Sequence, residues 1–148
     1  HRRLRLPSLT DLSRNDAVIL TDTVGFIRDL PKELRAAFKA TLDELNEALL
    51  FVHVLDVSDP LILERKASVE GILREMELMG TPQIIVLNKM DKVDPEQVSG
   101  LVQELGGIPV SAISGVGLPK LVENIAQNLA IQRKEATSDV AQDLDSWQ

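Results

Sequence analysis

Short apolar runs alternate with longer, helix-length stretches along this chain, and that alternation leaves few folds open. Leu49 to Leu55 (LLFVHVL) is bounded by charges, the pattern of a strand covered on both faces. Gln83 to Leu87 (QIIVL) repeats the pattern, and Ile108 to Val110 is a shorter case. Between these runs, Ser58-Asp59-Pro60 starts a helix predicted to reach about Met79, where Gly80-Thr81-Pro82 stops it. Asp94-Pro95 begins another, to about Leu105, ended by Gly106-Gly107, and Gly117 to about Arg133 is the last. Strands alternating with helices mean an α/β fold with a parallel sheet and right-handed crossovers.

The N-terminal third is less regular. Arg3-Leu4-Arg5-Leu6 alternates with period two and reads as a half-buried strand. Pro7 to Asp16 is a polar turn region, and Ala17 to Thr21 a short buried strand. Pro31 opens a helix to about Asn46, with Leu34, Phe38, Leu42 and Leu45 at helical spacing. From Asp139 the tail is acidic and has lost the helical pattern, so residues 134–148 are expected to be disordered.

The 148 residues fit one domain with a real core. Aromatics are only 3%, with no Tyr, so that core is built from Leu, Ile, Val and Ala. The same scarcity removes any stacking platform for single-stranded nucleic acid. A net charge of −7 argues against gripping nucleic acid by a general basic field. Arg2, Arg3 and Arg5 form a local basic patch, read as a solvated strand face rather than an RNA contact. With no cysteine, disulfide and thiolate chemistry are excluded. No apolar run approaches the ~20 residues of a membrane span, and no secretory signal is apparent. His53 sits inside an apolar run and reads as a core or half-buried histidine.

In open α/β sheets ligands sit at the carboxyl ends of strands. Three strand ends carry suggestive residues: Asp22, Thr23, Val24 and Gly25 (DTVG), Asn88 to Asp91 (NKMD), and Ser111 to Gly115 (SAISG). Asp91 can accept from the two adjacent N–H groups on guanine's edge, a donor pair that adenine lacks. Asn88 can brace its loop, and Lys89 can lay its methylene stem along the base face, its ammonium at the loop or sugar. Ser111 and Ala112 offer a tight turn whose backbone N–H can meet the guanine carbonyl. Asp22 can hold Mg²⁺ through water, and the N–H of Gly25 can approach a terminal phosphate. Asp56, Ser58 and Asp59 also end a strand on this side, but Asp59-Pro60 reads as a helix start. Each motif alone is an ordinary turn; together, and in this order, they point to a guanine-nucleotide fold.

The sequence resembles the HflX family of translation-related GTPases. DTVGFIRDLPKELRAAFKATLDEL, then HVLDVSDP, NKMD and SAISG carry the resemblance, over roughly residues 2–132. It implies a three-layer, Ras-like P-loop NTPase sheet and a partial G domain over residues 1–133. Asp22 through Pro31 would be switch II, with Asp22 and Gly25 as magnesium and γ-phosphate sensors. Asn88, Lys89 and Asp91 would bind guanine, with Ser111, Ala112 and Ile113 closing the base pocket. Members of the family bind GTP and GDP, hydrolyse GTP with Mg²⁺, and act on the large ribosomal subunit, splitting ribosomes under stress. A cytoplasmic or organellar-matrix location is implied with them.

Two departures qualify the expectation. The first glycine is Gly25 and no glycine precedes a lysine, so the phosphate-cradling GxxxxGK[ST] is absent. Phosphate affinity in such folds comes from that loop's amides and lysine, so this chain alone is expected to bind GTP very weakly and not to hydrolyse it. With His at position 1, the chain reads as a piece of something longer. Phe26 stands where Ras-like enzymes place a water-orienting Gln, and its ring can neither donate to nor accept from water, so hydrolysis would need another group. The rival expectation is a non-catalytic protein-interaction module derived from half of a GTPase fold.

Overall fold

The computed structural model describes residues 2–5, 17–20 and 44–145. The predicted Pro31 helix lies outside them except for its end, where Glu44–Glu47 form a short 3-10 turn. The elements are β1 (Arg2–Arg5), β2 (Ala17–Leu20), β3 (Phe51–Asp56), α1 (Ile62–Glu75), β4 (Gln83–Asn88), α2 (Pro95–Leu105), β5 (Ile108–Pro109) and α3 (Leu118–Asp145).

β3, β4 and β5 form a parallel sheet in that order, with β4 central. Side chains alternate across it. On one face Leu55 and Leu87 join Val57 and Ile62, with Leu101, Val102 and Leu105 of α2 packed on them. On the other face Ile84, Val86 and Val110 meet Leu118, Leu121 and Ile125 of α3. Helices on both faces give the three-layer α/β arrangement that the alternating pattern predicts. The parallel register sets Asp56 beside Asn88, so two polar strand ends lie side by side at the carboxyl edge.

Several local expectations are corrected. β3 is not covered along its whole length: Val52 joins the cluster under α3, but Val54 on the same face is 57% exposed, and among the described residues β3 is an edge strand. β2 is not a buried strand either. Among the described residues it pairs with β1 alone, antiparallel, in a two-stranded sheet, and Ile19 is 70% exposed. A two-stranded ribbon cannot bury both of its faces.

α1 ends at Glu75, before Gly80. Leu78 N–H bonds to the carbonyl of Leu73 and Glu77 N–H to that of Arg74, while Glu77 takes a left-handed φ of 60°. This six-to-one closure usually has glycine at the turning residue. Here Leu73 and Leu78, the two apolar residues that the turn brings inward, are both buried, and their burial offsets the strain at Glu77. α3 runs to Asp145 instead of stopping near Arg133. No glycine or proline follows Pro119, so nothing in the backbone chemistry halts it, and the acidic composition of the tail is compatible with helix.

Candidate nucleotide-base site

Two loops meet at the carboxyl edge of the sheet, one after β4 and one after β5. β4 ends at Asn88, and Lys89 turns the chain with a left-handed backbone, φ 64° and ψ 32°. A non-glycine residue there is strained, and such strain collects at functional sites. The conformation is held locally: Lys89 N–H donates to its neighbour's Asn88 Oδ1 at 2.8 Å. The same oxygen accepts the Ala112 N–H at 3.1 Å, so one side chain ties both loops together. Met90 N–H reaches the Val110 carbonyl at 3.2 Å and closes the junction further.

Ser111 is 1% exposed, the one buried polar residue of the described core. Its hydroxyl donates to Asp91 Oδ1 at 2.6 Å. That bond, with Lys92 nearby, holds the Asp91 carboxyl below the ordinary carboxylate range. Asp91 is therefore an oriented, ionised acceptor at the protein surface. The Ser111 loop closes on itself through Gly115 N–H to the Ser111 carbonyl (2.8 Å) and Ser111 N–H to the Val116 carbonyl (2.9 Å). Gly117 makes the packing possible. Its φ is +79°, and a Cβ there would lie 2.2 Å from the Pro109 carbonyl oxygen.

The structure thus brings Asn88, Lys89, Asp91, Ser111 and Ala112 into one cluster, from loops 20 or more residues apart in sequence. Ile113, on the same loop as Ser111, is 86% exposed. The Ser111 and Ala112 amides, expected to face a base carbonyl, are both engaged within the protein. Asp22, Thr23, Val24, Gly25 and Phe26 lie outside the described residues. Among the described residues no group of three or more His, Asp or Glu could hold a metal ion, and no helix is long and apolar enough to cross a membrane. His53 is half-buried as expected, and burial pushes its pKa down.

One participant has no clear signal in the sequence. Lys89 Nζ pairs with Asp56 Oδ2, while Asp56 Oδ1 takes the Ser58 N–H (3.0 Å) and hydroxyl (2.6 Å). The hydrogen bond from Lys89, followed by those from the Ser58 hydroxyl and amide, lowers the Asp56 pKa to about 2. The only hint in the sequence is an Asp ending an apolar run as Asn88 does. The helix starts later than Asp59, at Ile62, with Leu61 as its N-cap and no side-chain cap. Asp59 lies in the turn before it, where Oδ1 accepts the Leu61 N–H at 2.9 Å and Oδ2 pairs with Arg65, both lowering its pKa.

No protein-family model matches the chain. Among curated proteins, GTPase HflX of Magnetococcus marinus is 42% identical over 118 residues, 78% of this chain and 27% of that protein. GTPase HflX of Escherichia coli is 35% identical over 123 residues, 81% of this chain and 29% of that protein. GTPase HflX of Caldanaerobacter subterraneus is 42% identical over 128 residues, 86% of this chain and 28% of that protein. The chain spans less than a third of the length of these relatives. A crystal structure of a variant of SsGBP superimposes with a TM-score of 0.73 at 31% identity, over 90% of this chain and 48% of that one. The described sheet and helices are thus part of a P-loop NTPase-like fold. On the matches to three HflX proteins over most of its length, the chain belongs to the GTPase HflX family.

Proposed function

We propose that this chain carries the guanine-recognising side of a GTP-binding protein of HflX type. The observation that supports it best is the cross-tied pair of loops. Asn88 Oδ1 joins Lys89 to Ala112, and Ser111 aims Asp91. Asp91 accepts the paired N–H donors of guanine, and adenine would leave it unpaired beside a misplaced group. The stem of Lys89 lies along the base face, and Ser111, Ala112 and Ile113 close the pocket.

The phosphate side of the reading rests on the resemblance. Asp22, Thr23, Val24 and Gly25 face the phosphates, Asp22 holding Mg²⁺ through water. The Mg²⁺ supplies charge neutralisation to the phosphates when bound. Phe26 cannot orient water, so hydrolysis in the whole protein depends on another group. That protein couples GTP hydrolysis to the large ribosomal subunit and to ribosome splitting or rescue, in the cytoplasm or an organellar matrix. Residues 1–133 are its partial G domain, and 134–148 an acidic tail that α3 enters as helix as far as Asp145. The chain alone, without the phosphate cradle, binds GTP very weakly and does not hydrolyse it; micromolar GDP affinity in calorimetry with Mg²⁺ would overturn that statement.

Guanosine lacks phosphates and so probes the base site directly. Titrated into the chain under NMR observation, it should perturb the amides of Asn88 to Asp91 and Ser111 to Ile113, with adenosine perturbing them far less. Equal response to both nucleosides would sink the guanine reading and leave the interaction-module reading in its place.

A further inference from the structure

The geometry assigns Asp56, braced by Ser58, as a positioning residue that acts through Lys89 in base recognition, an assignment that rests on the base-site reading above. Lys89 lies 33 residues from Asp56 in sequence. The parallel register nonetheless pairs Asp56 with Asn88, so the carboxylate stands beside the residue that precedes the lysine. The two oxygens of Asp56 are divided between tasks. Oδ1 receives both the amide and the hydroxyl of Ser58, which fixes the plane of the carboxylate. Oδ2 is left to face the Lys89 ammonium.

Lys89 is consequently held at both ends. Its own N–H is anchored on Asn88 Oδ1 and its Nζ on Asp56. A free lysine has about 2 kcal/mol of rotamer entropy to lose before its stem can lie flat against a ring. Anchoring Nζ before a ligand arrives removes much of that cost, which is how preorganisation improves affinity. Asp91 reads the edge of the base and Lys89 its face. Losing Asp56 should therefore weaken affinity while leaving the guanine-over-adenine preference intact.

The test titrates guanosine, with adenosine as control, into the full 148-residue chain in four forms: unsubstituted, Asp56→Asn, Lys89→Met and the double variant. Asp56→Asn should weaken guanosine binding roughly 3- to 5-fold, the upper range for a partly exposed ion pair. On the Lys89→Met background the same substitution should have no further effect, because its path to the base is already cut. A merely structural aspartate would weaken both backgrounds alike. Ser58→Ala, at an exposed residue, gives a second readout: the ¹⁵N resonance of the Lys89 ammonium should shift. Unchanged affinity in Asp56→Asn, an equal further loss in the double variant, or an unmoved Lys89 resonance in Ser58→Ala overturns the proposal and leaves the base site standing. Failure of the unsubstituted chain to prefer guanosine over adenosine overturns the base-site reading, and the proposal with it.

Discussion

The Ser111 hydroxyl, buried in the loop that follows β5, donates to Asp91 Oδ1 at 2.6 Å, so a core residue aims a surface carboxylate. The arrangement is asymmetric. Asp91 is free to meet solvent or a ligand, while Ser111 is locked by the turn that follows it. Removing the hydroxyl by Ser111→Ala should leave the fold in place and let the carboxylate swing. Guanosine affinity should then fall roughly 3- to 10-fold, the range of one net hydrogen bond. The Asp91 pKa should rise towards the ordinary value, because its largest stabilising contact is gone. Carbon-detected NMR titration of the Asp91 carboxyl reads this directly, and an unmoved midpoint would show that Ser111 does not set it.

The Asp56 pair predicts a pH signature. Its pKa in the fold, about 2, lies below the ordinary 3.8. The pair therefore contributes stability that is complete above about pH 4 and lost as pH falls towards 2. Lys89 is 43% and Asp56 32% exposed, so solvent screening keeps the contribution below about 1 kcal/mol. Thermal midpoints measured from pH 5 to pH 2 should fall less steeply for Asp56→Asn than for the parent, and the difference should shrink in high salt. Parallel curves would mean that the pair adds nothing to the folded state.

Gly117 predicts a large local cost. A Cβ would enter 2.2 Å from the Pro109 carbonyl oxygen, and a backbone atom cannot step aside as a side-chain tip can. The positive φ adds strain of about 1–2 kcal/mol for any L side chain. Gly117→Ala should therefore destabilise the chain by about 3 kcal/mol or more in urea denaturation. Gly115→Ala is the control: its φ is also positive, +82°, but a Cβ added there would meet nothing within 4 Å, so only the strain should register.

The base-site cluster is legible in the sequence because its signals are local. Asn88 and Asp91 follow an apolar run, Ser111 follows another, and an open α/β sheet gathers such ends at one edge. Asp56 is not legible as a partner of Lys89, since only the strand register brings them together. The left-handed turn at Glu77 is hidden for a different reason. Glutamate is a poor marker for that conformation, and the burial of Leu73 and Leu78 decides it. The exposed faces of β2 and β3 depend on what lies beside each strand, which an apolar run cannot report. The length of α3 is easily underestimated, because an acidic composition imitates the loss of a helix where no breaking residue stands.

His53 makes the last prediction, on stability. It lies on β3, half-buried, on the same strand face as Leu55. Its Nδ1 is buried without a hydrogen-bond partner. The charged groups facing it are Glu70 and Lys66 of α1, already paired with each other. Burial is the largest influence on its pKa and lowers it; Glu70 opposes that shift and Lys66 reinforces it. Folding therefore favours the neutral ring, and below the ordinary value of 6.5 the unfolded chain binds a proton that the folded chain resists. Stability should accordingly be full above about pH 7 and decline as pH drops towards 5. His53→Leu removes both the unpaired polar atom and the titration. It should stabilise the chain by about 1 kcal/mol at neutral pH, and the gain should widen as the solution is acidified. Chemical denaturation of both proteins at pH 7.5, 6.5 and 5.5 measures the gap; a gap that stays constant would show that the ring gains its proton as easily in the fold as outside it.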